Sequence, residues 1–142
     1  NTRFSIGDFS LVPFSVEHST RAPAVGYRIT AGAVSVFYAP DLVYIHNREK
    51  ALSGCRLYIG DGASLTRSLV RKQNENLIGH TPVRTQLTWC AKTGVPEMLV
   101  SHCGEEIVAG DERRLGALLR RMAEERGVTA GIAKDGMERV LR

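Results

Sequence analysis

A layered domain of mixed α and β structure, of the α/β or α+β class, is predicted by three features of this sequence. The first two-thirds of its 142 residues break into short β-forming runs separated by turn residues. The last third alternates two helical periodicities with short apolar strands. No repeat of fixed period and no low-complexity segment divides the chain, so residues 1–142 read as one unit.

Phe9 to Val16 is rich in β-formers, and Pro13 within it implies an edge position or a bulge. Ala24 to Thr30 and Val34 to Tyr38 are strands joined by the turn Ala31-Gly32-Ala33, which makes them a hairpin. Arg56 to Ile59 is a further strand between Gly54 and Gly60-Asp61-Gly62. A helix is expected to be capped by Thr81 with Pro82 at its first position, where a missing N–H costs nothing. Val83, Leu87, Cys90 and Ala91 share its apolar face, Gly94 ends it, and Pro96 leads into the strand Met98 to Val100. A second helix is capped by Asp111, carries Leu115, Leu118, Leu119 and Met122 at spacings of three and four, and closes at Gly127. Ala130 to Ala133 and Met137 to Leu141 read as two last strands around the turn Lys134-Asp135-Gly136.

Composition narrows the class. With 43% hydrophobic and 24% charged residues the chain falls in the soluble globular range. No apolar run approaches the ~20 residues that cross a bilayer, so no membrane association is expected. Cys55, Cys90 and Cys103 lack C-x-x-C spacing and suit free thiols in a reducing, cytoplasmic setting. The opening Asn1 to Phe9 has no signal-peptide pattern and reads as an internal or trimmed start. The net charge of +4 raises nucleic acid as a partner. Yet the densest charge, Asp111 to Arg126, sets five Arg against four acids, which fits a solvated helix face better than a nucleic-acid stripe.

The polar residues fall into a pattern on this map. His18, Asp41, Asp61 and His102 each follow a strand: those ending at Val16, Tyr38, Ile59 and Val100. Adjacent strands lie only ~5 Å apart, so ends that point the same way would gather these side chains into a metal-sized cluster. Imidazole and carboxylate are ligands of Zn²⁺ and similar ions, which lower the pKa of bound water to about 7. Any one such residue is more ordinarily a turn former or a cap; the recurrence is what carries weight.

Five segments in order then resemble a known family. They are Val16-Glu17-His18-Ser19 with Ala22-Pro23-Ala24-Val25-Gly26-Tyr27-Arg28-Ile29, Phe37-Tyr38-Ala39-Pro40-Asp41, Tyr58-Ile59-Gly60-Asp61-Gly62, Ile78-Gly79-His80-Thr81, and Val100-Ser101-His102-Cys103-Gly104. Together they resemble the downstream motifs of metallo-β-lactamase-fold hydrolases, and within these the branch of tRNA 3′-processing endonucleases and cyclic-phosphate phosphodiesterases. The resemblance runs from about Phe9 to Leu141. It implies a four-layer αββα fold of which this chain is the C-terminal half, and a cofactor of two divalent metals, Zn in the first instance, per complete site.

The resemblance also implies roles. His18 matches a metal-binding histidine, Asp41 the aspartate bridging both metals, and His102 the final metal-binding histidine. His80 matches a catalytic, non-ligand histidine near a scissile phosphate, where it stabilises charge or protonates the leaving oxygen. Asp61 matches an acidic residue that orients a ligand histidine through its other ring nitrogen. His46 matches no motif and reads as a surface residue, and Cys103 as a small buried residue rather than a ligand or nucleophile. Lys134-Asp135-Gly136-Met137 reads as a turn.

The family's upstream H-x-H-x-D-H loop is absent: the four histidines are never two apart. Each metal would then receive about two protein ligands from this chain instead of the usual three or four. An apolar sheet face would also need covering by the missing N-terminal half or by another chain. The implied activity is metal-dependent hydrolysis of an ester, foremost a phosphodiester or small-molecule substrate, by a completed domain. The alternatives are a non-catalytic half-domain serving as an interaction module and, last, nucleic-acid binding through the Arg-rich helix.

Overall fold

The computed structural model describes residues 2–142. Its centre is an eight-stranded mixed sheet built from β1 (Phe4–Ile6), β2 (Phe9–Glu17), β3 (Ala24–Ala31), β4 (Val34–Tyr38), β5 (Tyr44–Ile45), β6 (Leu57–Asp61), β9 (Glu97–Ser101) and β10 (Thr129–Ile132). The order is β1-β2-β3-β4-β6-β9-β10, with β5 paired to the end of β2. A separate hairpin joins β7 (Arg71–Gln73) to β8 (Asn76–Ile78). The helices are α1 (Arg48–Leu52), α2 (Val83–Thr93), α3 (Glu105–Val108) and α4 (Glu112–Glu124).

Strand direction matters most for the site. β2 and β3 are antiparallel, as are β3 and β4, so β2 and β4 run the same way. β6 and β9 are then parallel to β4. The condition on which the sequence pattern depended is therefore met: the strands preceding His18, Asp41 and His102, and the one ending in Asp61, all finish at one edge of the sheet.

The core lies on one sheet face. Phe14, Phe37, Tyr58, Met98 and Val100 pack there with Val83, Leu87 and Cys90 of α2 and Leu119 and Met122 of α4. Phe14 and Phe37 meet edge to face, 5.9 Å between ring centroids. Burying each such side chain contributes roughly 1.5–3 kcal/mol. Arg28 stands on this face too, and its guanidinium donates to the carbonyls of Lys50, Ala51 and Ser53, closing the C-terminal end of α1. Because side chains alternate along a strand, the opposite face receives Leu11, Ile29 and Val36 in one cross-strand row. Tyr27, Tyr38, Ile59 and Leu99 form the next. These two rows are apolar yet only half-buried or, at Tyr38, exposed.

Several boundaries differ from expectation for definable reasons. Thr81 does not cap α2; Pro82, extended at ψ 151°, occupies the cap position and the helix starts at Val83. The carbonyls of Ser64 and Leu65 accept the N–H groups of Val83 and Arg84, replacing a side-chain cap with tertiary hydrogen bonds. The buried face of α2 includes Gln86 and Trp89, whereas Ala91 is exposed. Trp89 is held by the Arg48 guanidinium, which lies 4.8 Å from its ring centroid and 5.3 Å from that of Tyr44. Met137 to Leu141 is not a strand. The turn before it forms, with Gly136 at φ 75° and a Met137 N–H to Lys134 carbonyl bond, but the chain then leaves the sheet. An ion pair from Arg139 to Glu97 takes it elsewhere, leaving Val140 exposed. Two other expectations hold: Gly94 ends α2 in the left-handed region, and Asp111 caps α4 by accepting the Arg114 N–H, although α4 ends at Glu124 rather than running to Gly127.

Candidate metal centre

The site forms where the parallel strands end. Asp41 follows β4 by a short turn, and its Oδ1 lies 2.8 Å from His18 Nδ1 and 3.2 Å from His80 Nδ1. Its Oδ2 lies 4.0 Å from His102 Nε2. The rings of His80 and His102 stack with centroids 5.6 Å apart, and His18 and His80 are 5.4 Å apart. Among the described residues, donor atoms of Asp41, Asp61, His80 and His102 all lie within 4.8 Å of one another.

Asp61 ends β6 and is completely buried. Its Oδ2 accepts the Leu42 N–H at 2.9 Å and lies 2.8 Å from His80 Nδ1, while its Oδ1 accepts the Ala63 N–H at 2.8 Å. An ionised carboxylate only accepts, so Nδ1 of His80 is the donor, and Nε2 is the ring nitrogen left for another partner. The resemblance implied that Asp61 orients a metal-binding histidine; its contact here is with His80, which the same resemblance reads as a non-ligand.

Asp61 is itself held by a side chain that sequence reasoning passed over. Gln86, completely buried on α2, accepts the Asp61 N–H through Oε1 at 2.9 Å and donates through Nε2 to the Asp61 carbonyl at 2.7 Å. It also donates to the Thr81 carbonyl and accepts the Tyr58 hydroxyl at 2.8 Å. The Gln86 amide thus pairs with Asp61 as a neighbouring strand would. Gly60 makes room for it, since a Cβ there would lie 2.4 Å from Gln86 Oε1. Burial keeps the Tyr58 hydroxyl protonated well above its ordinary range, so it remains a donor. The only clue in the sequence was a polar residue at helical spacing on an otherwise apolar face.

The remaining polar candidates separate clearly. His18 Nδ1 lies 3.3 Å from the Gly79 carbonyl, and the Gly79 N–H returns to the His18 carbonyl, tying the end of β2 to the segment that carries His80. His102 occupies the left-handed region at φ 50°, which is unusual for a residue with a side chain. His46 stands apart, 3.2 Å from Glu17 and half exposed. Cys103 is half-buried; burial first, then the Asp61 carboxylate, raise its thiol pKa, which disfavours the thiolate.

The donor set fits a divalent cation. Asp41 Oδ1 is buried and, despite two imidazole nitrogens at close range, receives no directed hydrogen bond. An uncompensated buried carboxylate oxygen is costly, and a cation between it and the imidazoles relieves that cost.

Strand ends thus converge on paired histidines and aspartates at the edge of a mixed sheet backed by helices, a cluster of the kind that could hold a metal ion. The model of the beta-lactamase superfamily domain matches residues 1–103, and the chain belongs to that family. Solved structures agree on the fold. The metallo-beta-lactamase fold protein YhfI from Bacillus subtilis superposes with a TM-score of 0.74 at 20% identity, over 96% of this chain and 52% of its own. A putative metal-dependent hydrolase from Parabacteroides distasonis gives 0.62 at 13% identity, covering 92% of this chain and 54% of its own. The CmlA beta-hydroxylase E377D mutant gives 0.63 at 18% identity, covering 94% and 31%. The chain thus spans about half the length of the first two. A comparison with curated proteins gives no match. Among the described residues no helix is long and apolar enough to cross a membrane.

Proposed function

We propose that this chain supplies the Asp41 side of a dinuclear, zinc-dependent hydrolase site acting on a phosphodiester. The observation that carries the reading is Asp41: one oxygen beside His18 and His80 without a directed hydrogen bond, the other toward His102. That disposition supports Asp41, with His18 and His102, as the residues that would hold the metal. A bound metal would supply Lewis acidity and a water of lowered pKa. The chain's own residues do the rest. Asp61 holds the proton of His80 on Nδ1, so a second proton on Nε2 would let the ring donate to a developing negative charge or to a leaving oxygen. Likeness to the phosphodiesterase branch, through Gly79-His80-Thr81, supports the substrate class. The cysteines support a cytoplasmic setting.

The ligands missing from this chain come, in this reading, from a second half-domain or another chain packed on the open sheet face. The test is metal content and phosphodiesterase activity of the protein joined to such a half. Wild type is expected to hold two zinc ions and turn over, and Asp41→Ala to lose both. Full activity in that variant would overturn the metal mechanism.

A second reading, a non-catalytic half-domain that docks a partner, is favoured by the apolar rows through Ile29 and Tyr38. It predicts partner-dependent folding with no zinc bound in the completed assembly.

A further inference from the structure

Beside His80 and His102 the surface opens into a shallow cleft of about 660 Å³. One wall is the loop after β6, with Ala63, Arg67 and Leu69; the other is Cys103, Gly104 and the start of α3. Its charged side chains, apart from the histidines, are Arg67, Glu105 and Glu106. Two acids and one base would ordinarily pair, but they do not. Glu106 is occupied elsewhere: its Oε2 accepts the Ser64 hydroxyl at 2.9 Å and the Leu65 N–H at 3.3 Å. Ser64, thus braced, accepts the Arg67 N–H at 3.1 Å and fixes the turn that carries Arg67. Among the described residues the Arg67 guanidinium has no carboxylate within ion-pair distance.

We propose that Arg67 is the specificity residue of this cleft, holding a non-bridging oxygen of an anionic phosphate ester beside His80 and His102. The inference rests on the hydrolase reading above and sharpens it, since a neutral ester has no use for a guanidinium there. The planar fork of arginine matches phosphate geometry, and a charge-assisted hydrogen bond is worth about twice a neutral one. The Glu106–Ser64 brace keeps the base in the wall without neutralising it. Exposed Glu105 opposes an anion in the same cleft, so the two residues act with opposite signs on one ligand.

The test uses the zinc-loaded protein at its natural full length, with inorganic phosphate as the calorimetric probe. Bis(p-nitrophenyl) phosphate and p-nitrophenyl acetate serve as charged and neutral substrates. Arg67→Ala is expected to weaken phosphate binding and raise KM for the phosphodiester roughly tenfold. Its kcat, zinc content and acetate hydrolysis are expected to stay within about twofold. Arg67→Lys should recover part of the loss, and Glu105→Gln should tighten phosphate two- to threefold, on the order of one screened surface charge. Unchanged phosphate affinity in Arg67→Ala, or equal losses on both substrates, overturns the proposal. If wild type hydrolyses neither ester while Arg67→Ala still loses phosphate affinity, the anion site stands and the hydrolase reading is what fails.

Discussion

Oδ2 of Asp61 lies 2.8 Å from Nδ1 of His80 while sharing itself with the Leu42 N–H, so one buried oxygen sets both a loop and the His80 ring. With Oδ1 on the Ala63 N–H, both carboxylate oxygens are used. Asparagine has one oxygen, so Asp61→Asn must turn an N–H toward an NH2 group. An expected loss of about 1–3 kcal/mol follows from the unmet buried donor. Urea titration checks it; a variant as stable as wild type would show that the loop relaxes around the change.

Asp41 behaves in the opposite sense. Its Oδ1 is already without a directed partner, so Asp41→Ala is expected to leave metal-free stability unchanged or raise it by about 1 kcal/mol. Added zinc should raise the wild-type Tm with concentration, as a ligand bound by the folded state does, and the variant should lose that rise. Thermal melts across a zinc series decide; a rise retained in the variant removes Asp41 from the ligand set.

Backbone strain at His102 gives a third prediction. At φ 50° a side chain costs roughly 1 kcal/mol that glycine does not incur. His102→Gly should therefore exceed His102→Ala in metal-free stability by about that amount, although both lack the imidazole. Equal stabilities would mean that the loop shifts out of the left-handed region. In both variants zinc affinity should fall, because the ring is gone.

Alkaline pH should weaken the core through Cys90. Burial pushes this thiol from 9.0 to about 12, so between those values the folded state keeps a proton that the unfolded chain has released. The unfolded state then binds fewer protons, and stability falls with pH at up to about 1.4 kcal/mol per unit, having been fully present below pH 9. Denaturation at pH 8, 9.5 and 10.5 should show a shallower decline in Cys90→Ala than in wild type; identical slopes would refute the assignment.

Much of the site was legible because each of its strands was. His18, Asp41, Asp61 and His102 were found from β-rich runs and the residue that follows each, and the shared direction of β2, β4, β6 and β9 brings those ends together. Other parts carried no such signal. The β7–β8 hairpin runs Arg71-Lys72-Gln73-Asn74-Glu75-Asn76, which has no apolar alternation to detect, and its turn is visible only as Asn74 at φ 55°. α3 is four residues long, too short for a helical period. Met137 to Leu141 had strand composition, but the chain turns away from the open edge of β10 instead of pairing with it, which only the path of the chain decides. Gln86 was hidden because its partners Tyr58, Asp61 and Thr81 are brought to it by the fold.

Gln86 has a consequence for engineering the molecule. The α2 side chain stands in for a strand against the Asp61 backbone, so the helix helps to fix the residue whose carboxylate meets His80. A library that varied α2 for solubility alone would disturb the Asp61 pairing at position 86 without touching any of the clustered histidines or Asp41. Grafts of this edge onto another scaffold need the helix as well as the loops.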